Sequence, residues 1–515
     1  MNPQDLAPVL IGGAWRPAAA VDAFSASNPA TGQTLAERFP VSDWSDVDAA
    51  LDAAVQAFAA MQMLPAERLA GFLRSYAEHL EARAEDICAT AAAETGYPVS
   101  PRLKDVELVR TVDQLRQAAA AAVDPGWRLP VIDARAKICS VLEPLGPTVV
   151  FGPNNFPLAF NGVSGGDFAA ALAAGNPVIA KAHSSHPGTC RRLAECAQQA
   201  AQKTGMPPGT VQLLYGLRRP DGLRLVSDPR LGAAAFTGSR TAGMSLKTAA
   251  DAVGKPIYLE MSSVNPVVIL PGALAERSQE VVNELVTSAL MGTGQFCTNP
   301  GLVLLIDGAD AQAFLAAMAQ RYRSAACGTL LSKGTQQGLM AGIQALTRAG
   351  ASVVCGNQPA ARPGWAWANT LLSVSGQQFL TAAKALQTEA FGNATLAVVA
   401  ADSAQLVELL AHCEGNLTGC IYSAQDGRDD VLYDAVARVL RPRVGRLLND
   451  KMPTGVAVSP AMNHGGPFPA TGHPHFTAVG LPAAMRRFTR LACYDNVRPH
   501  RLPPILRGSA APGRP

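Results

Sequence analysis

From Pro147 onward, short apolar runs alternate with longer runs of helical spacing. Thr148-Val-Val-Phe151, Pro177-Val-Ile-Ala180, Val211-Gln-Leu-Leu214 and Ala233-Ala-Ala-Phe236 read as strands, with Ala/Gly-rich helices between them. A strand apolar at every position is buried on both faces, which calls for a parallel sheet covered by helices on both sides. A second set runs from Pro256 to about 440 and includes Pro266–Leu270, Leu302–Ile306 and Leu396–Ala400. At 515 residues the chain exceeds one compact core. The expected fold class is therefore α/β with two units. Ahead of them lie strand-like pieces over Val9–Trp15, a turn at Asn28-Pro-Ala-Thr-Gly32, and helices over 46–58, 65–95 and 107–123.

Composition narrows the function. The net charge of +3 is small and its basic residues are scattered, so nucleic acid is not an expected partner. No apolar run reaches the roughly 18 residues of a membrane span, so no membrane partner is expected. Met1-Asn-Pro-Gln-Asp5 lacks the basic and apolar regions of a secretory signal. The ten cysteines form no CxxC pair, and nine read as small residues in a reducing compartment. A cytoplasmic location is expected. His183 and His186 lie three apart with no third partner, and His464, His473 and His475 read as loop or packing residues. No metal site is expected.

The chemistry gathers in a few blocks. No GxGxxG follows the first strand. Phe236-Thr-Gly-Ser239 instead opens a helical run, where backbone N–H groups can face a phosphate. Gly292-Thr-Gly-Gln-Phe-Cys297-Thr carries a cysteine among glycines that allow close backbone approach, with Glu260 in Leu259-Glu-Met-Ser-Ser and Asn155 in Phe151-Gly-Pro-Asn-Asn155-Phe-Pro. Oxidising an aldehyde with a nicotinamide needs a tetrahedral adduct from which hydride can leave, and a thiolate forms one, leaving a thioester. Cys297 suits that nucleophile, and Glu260 the base that activates water, since a carboxylate in a partly apolar site takes protons readily. The Asn155 amide and the Cys297 backbone N–H suit an oxyanion.

Order and spacing of these blocks, from Asn28-Pro-Ala-Thr-Gly32 through Glu389-Ala-Phe391-Gly, resemble the aldehyde dehydrogenase superfamily. Gly166-Asp167, Lys181-Ala-His-Ser-Ser-His186 and His464-Gly-Gly-Pro-Phe-Pro-Ala470 are similar to a bacterial branch. That branch includes 2,5-dioxovalerate (α-ketoglutarate semialdehyde) and NADP-linked fatty aldehyde dehydrogenases. The resemblance implies two Rossmann-like α/β domains and a protruding oligomerisation hairpin. It implies a cofactor domain over 1–255 with the hairpin near 128–145, a catalytic domain over 256–445, and a C-terminal segment over 446–515. Hairpin and C-terminal strand are expected to pair across the interface of a homodimer or dimer of dimers, and the tail after Arg501 to be loosely held.

For the cofactor the resemblance implies Lys181 at the adenosine ribose, Ser239 at the pyrophosphate, and Glu389 and Phe391 at the nicotinamide end. Ser184 stands where many NAD-using relatives carry Glu, and Arg219 follows the next strand. Lys181, Ser184 and Arg219 together favour NADP over NAD. Four positions depart from the pattern: Ser262 for a Gly after the base, Asn393 for a Pro, and Lys451 and Met452 near the substrate mouth. Ser262 is expected to restrict the swing of Glu260; Lys451 is read first as a solvated loop residue and second as a cation favouring an aldehyde that bears a carboxylate. The function implied is oxidation of a small aldehyde, of the α-keto acid semialdehyde type, to its acid. A fatty or general aliphatic aldehyde is the alternative. A coenzyme A-acylating enzyme is disfavoured by Glu260, and a weakened binding relative by the retained Cys297, Asn155 and Lys181.

Overall fold

The computed structural model describes residues 5–507; Met1–Gln4 and residues 508–515, part of the tail, lie outside them. Ile257–Glu260, Ala233–Thr237, Thr148–Phe151, Val178–Lys181 and Val211–Leu214 form five adjacent parallel strands of a seven-stranded sheet. Val9–Ile11 and Ala14–Arg16 close its edge antiparallel. A second seven-stranded sheet runs in the order Ser352–Cys355, Thr370–Ser375, Ala394–Ala400, Leu302–Ile306, Pro266–Ile269, Asn416–Tyr422 and Val444–Asn449. Only its first strand is antiparallel. The expected α/β class and its largely apolar, buried strands are present. Helices bury both sheet faces, as two-sided apolar strands require. Ile257–Glu260 pairs within the first sheet, so that sheet runs past position 255.

The run expected as one helix over 65–95 is two, Ala66–Ala82 and Ala84–Thr95. Arg83 leaves helical dihedrals between them, and its guanidinium bonds Asp86 and Glu195 at 2.5 and 2.8 Å. The helix Val109–Val123 follows a wider turn over Val99–Leu108. No helix of the described residues is long and apolar enough to cross a membrane.

Val131–Asp133 and Ile138–Pro144 form the hairpin, and Thr489–Asp495 pairs antiparallel with its second strand from Thr489↔Pro144 to Asp495↔Ile138. This pairing lies within one chain, which corrects the expected pairing across a dimer interface. Three strands satisfy each other's backbone groups where a two-stranded arm would be marginal. The described part of the tail is also held: Leu502 and Leu506 are buried against Cys139 and Val141 of the arm. A loose tail was expected from its Pro and Gly content; apolar side chains at 502 and 506 override it.

Parallel strands end together, and their carboxyl ends are where an open α/β sheet leaves a crevice. Phe151, Lys181, Thr237 and Glu260 are all terminal residues of such strands.

Candidate active site

Cys297 follows a backbone in left-handed conformation at three successive residues, Gly292 (φ 55°), Thr293 (60°) and Gly294 (66°). A Cβ on Gly294 would lie 2.1 Å from the Gly392 carbonyl oxygen, so only glycine lets the two segments touch. Asn265, itself at φ 49°, donates from Nδ2 to the carbonyls of Cys297 (2.9 Å) and Asn299 (2.8 Å). Asn155 Nδ2 donates to the Gln295 carbonyl at 2.9 Å. The thiol therefore stands on a loop fixed from both sides.

Around its sulfur three groups converge. His464 Nε2 lies 3.4 Å from Cys297 Sγ and 3.0 Å from Glu260 Oε1. Glu260 and His464 are buried, and Glu260 Oε2 has no bonding partner. An imidazole nitrogen carries at most one proton, so Nε2 either donates to Glu260 or accepts from the thiol. Burial pushes the Cys297 thiol up, and the charge and hydrogen bonding of Glu260 push it further; Arg110 opposes them. The resting nucleophile is thus a protonated thiol with a base beside it.

His464 is the residue the sequence reading missed. It was expected to pack in a loop, and the histidines to join no ligand set. The donor atoms of Glu260, Cys297 and His464 all lie within 4.8 Å of one another, which brings the histidine into the catalytic cluster. The sequence distance of 167 residues between Cys297 and His464 hid it. A signal did exist: His464 opens one of the blocks that carried the narrower resemblance.

Glu260 and Cys297 line a cleft of about 600 Å³. Asn155, Lys181, Ser239, Glu389 and Phe391 line it as well. The sequence model of the Aldehyde dehydrogenase family matches residues 15–448. The chain belongs to that family. It is 40% identical over 511 residues to alpha-ketoglutaric semialdehyde dehydrogenase 2 of Azospirillum brasilense, covering 96% of each chain. It is 36% identical over 481 residues to alpha-ketoglutaric semialdehyde dehydrogenase of Acinetobacter baylyi, covering 90% of this chain and 88% of that one. Among solved structures, 1-pyrroline-5-carboxylate dehydrogenase from Thermus with bound NAD superposes with a TM-score of 0.81 at 24% identity, covering 95% of this chain and 92% of that one. NADP-dependent glyceraldehyde-3-phosphate dehydrogenase from Bacillus halodurans superposes at 0.78 and 21%, covering 96% and 100%. As an aldehyde dehydrogenase, this chain oxidises an aldehyde to its acid with NAD(P).

The cleft of this aldehyde dehydrogenase fits a dinucleotide. Lys181 presents an ammonium whose hold on its proton is weakened by burial. Ser239 caps the helix Arg240–Asp251, its Oγ accepting from Ala242 N at 3.4 Å, and the N-terminus of that helix faces the cleft. Glu389 is raised to about 7 by burial, against the Ser262 hydroxyl, the Ser263 backbone N–H and Arg240. Ser263 N donates to Glu389 Oε1 at 3.5 Å. Buried Asn393 donates to the Trp367 carbonyl (2.9 Å) and to Asn369 (2.8 Å).

Ser184 and Arg219 are exposed and stand outside the cleft wall. Arg219 reaches Ser245 at 3.3 Å, and Arg218 pairs with Asp221 at 3.0 Å. His183 does line the cleft, and burial beside His186 and Lys181 keeps its imidazole neutral. Lys451 is an exposed loop residue.

Proposed function

We propose that the substrate is an α-keto acid semialdehyde of the 2,5-dioxovalerate type, oxidised to the dicarboxylate with NADP preferred over NAD. The contact of His464 Nε2 with both Cys297 Sγ and Glu260 Oε1 carries the chemical part of the reading. Similarity to two alpha-ketoglutaric semialdehyde dehydrogenases along most of the chain supports the substrate class.

Glu260, directly or through His464 Nε2, takes the Cys297 proton, and the sulfur adds to the aldehyde carbon. The resulting oxyanion is held by Asn155 Nδ2 and the Cys297 backbone N–H. NAD(P), when bound, supplies the hydride acceptor. Hydride loss leaves a thioester on Sγ. Glu260, once the first proton has passed to solvent, takes a second from water as its oxygen adds to the thioester carbon; collapse of the adduct frees the acid and expels the Cys297 sulfur, which recovers that proton from Glu260. Lys181, with no acid beside it to repel a phosphate, supports NADP, and Ser184 and Arg219 would join it only at the outer rim. Glu389 and Phe391 would position the nicotinamide ribose and ring.

Val131, Ile132 and Leu491 expose apolar side chains on the three-stranded arm, which supports a homodimer or dimer of dimers with the arm against a second copy. The two sheets are read as cofactor and catalytic units.

Initial rates at 340 nm test the proposal, with NADP or NAD and 2,5-dioxovalerate, succinate semialdehyde, hexanal or decanal. The highest kcat/KM is expected for 2,5-dioxovalerate with NADP. A preference for decanal would sink the substrate class and leave the Cys297 chemistry standing.

A further inference from the structure

Arg102, Arg110, Arg446 and Arg487 are partly or wholly buried. Arg102, Arg446 and Arg487 each keep one buried nitrogen unbonded, yet the guanidinium of each still donates to a carboxylate or to backbone carbonyls. Arg102 pairs with Glu107 and also donates to the Asn155 carbonyl at 3.2 Å. Arg446 donates to the carbonyls of Pro453 (3.0 Å) and Gly455 (3.1 Å). Arg487 pairs with Asp167 at 2.8 Å. Arg110 is different. Its one side-chain bond runs from Nε to the neutral Gln114 Oε1 at 3.3 Å, and its Nη2 is buried with no protein acceptor. Glu107, one turn earlier, is already spent: Oε1 accepts from the backbone of Leu158 and Ala159, Oε2 from Arg102.

Arg110 lies against the chemistry. Its guanidinium carbon is 5.2 Å from the Phe160 ring centre and 6.0 Å from Phe156. The Phe160 ring is 5.4 Å from the His464 ring, and Phe156 directly follows Asn155. Its charge acts on Cys297 and Glu260, and burial weakens its hold on its proton. A guanidinium stays ionised, so withdrawing it from water without an anion is costly. Contact with two phenyl faces recovers part of that cost and leaves the Nη2 hydrogens unbonded.

We propose that Arg110 is a specificity-determining residue whose guanidinium takes the far carboxylate of an aldehyde bound at Cys297. The inference rests on the keto-acid semialdehyde reading above and names the group that recognises it. A five-carbon chain extended from the sulfur spans roughly 6 Å at about 1.5 Å per bond, longer than either ring contact between Arg110 and His464 (5.2 and 5.4 Å) and shorter than the two end to end. The carboxylate would supply the missing acceptor and the guanidinium the fork that fits it. Arg110, and not the exposed Lys451, would then select for the acid end of the substrate.

The test compares succinate semialdehyde, 2,5-dioxovalerate and neutral pentanal in the wild type, Arg110→Leu and Arg110→Lys. The ratio of kcat/KM for either anionic aldehyde over pentanal is expected to fall on the order of 100-fold in Arg110→Leu, with part regained in Arg110→Lys. A ratio that does not move would overturn the proposal and identify a guanidinium kept for packing. A measurement on the wild type alone guards against misfolding: glutarate should inhibit pentanal oxidation more strongly than neutral glutaramide, and equal inhibition overturns the proposal. The two readings fail separately. If the wild type ignores 2,5-dioxovalerate while the succinate semialdehyde ratio still follows Arg110, only the substrate assignment falls.

Discussion

Cys297 and Glu260 oppose each other in the resting protein and cooperate in the reaction. Burial and the Glu260 charge both hold the thiol protonated, so reactivity of the free protein toward iodoacetamide should be low at pH 7 and rise with pH. Glu260→Gln removes the charge that raises the thiol. Alkylation of Cys297 at pH 8 is therefore expected to speed up in that variant, while aldehyde turnover falls by about 100-fold or more with loss of the base. Peptide mass analysis of the alkylated protein beside steady-state rates checks both. If alkylation slows in step with turnover, Glu260 acts by generating the thiolate, and its charge does not set the resting thiol.

Cys297, Glu260 and Asn155 were legible in the sequence because each sits in a short block with its own neighbours. They line one cleft. His464 was not, since nothing local distinguishes a histidine that packs in a loop from one that reaches a sulfur 167 residues away. Arg110 was invisible for a related reason. Its singularity is a guanidinium with no carboxylate or backbone carbonyl to accept from it, which only the placement of Glu107, Gln114 and the phenyl rings reveals.

Strand positions were read closely because each strand is apolar on both faces, and a four-residue apolar run has few other uses in an α/β chain. Helix ends were harder, as at Arg83, where bonds to a distant helix decide the break. The helix Pro187–Thr204 shows another long-range cap. His186 offers its first turn no side-chain bond; Glu94, from the helix Ala84–Thr95, accepts from Gly188 N, Thr189 N and the Thr189 hydroxyl at 2.7–2.8 Å. Burial raises that carboxyl to about 7 despite these bonds. Glu94→Ala should cost about 1–3 kcal/mol in urea unfolding, the range for stranding buried donors. It should also raise the KM for NADP, because the loosened helix start directly follows the Lys181–His186 loop. An unchanged unfolding midpoint would mean that other acceptors replace it. Since the folded carboxyl binds its proton more tightly than a free glutamate, its share of stability is present at pH 4 and is lost as pH rises through about 7.

The arm joins three stretches of one chain, and its apolar side chains at Val131, Ile132 and Leu491 face outward. If they cover a second copy, Leu491→Asp should shift the protein toward monomer in light-scattering chromatography with its circular dichroism unchanged, because Leu491 is 68% exposed in a single chain. An unaltered mass would place the contact elsewhere. The arm also imposes an order on biosynthesis. Its first two strands leave the ribosome more than three hundred residues ahead of the strand that covers their open edge. Over that stretch of translation Ile138–Pro144 presents bare backbone donors and acceptors to any neighbouring chain. On a polysome crowded with copies of the same message, a nascent arm can thus be capped by a sister chain before its own end has been synthesised, and a premature stop ahead of Thr489 would leave that edge open permanently.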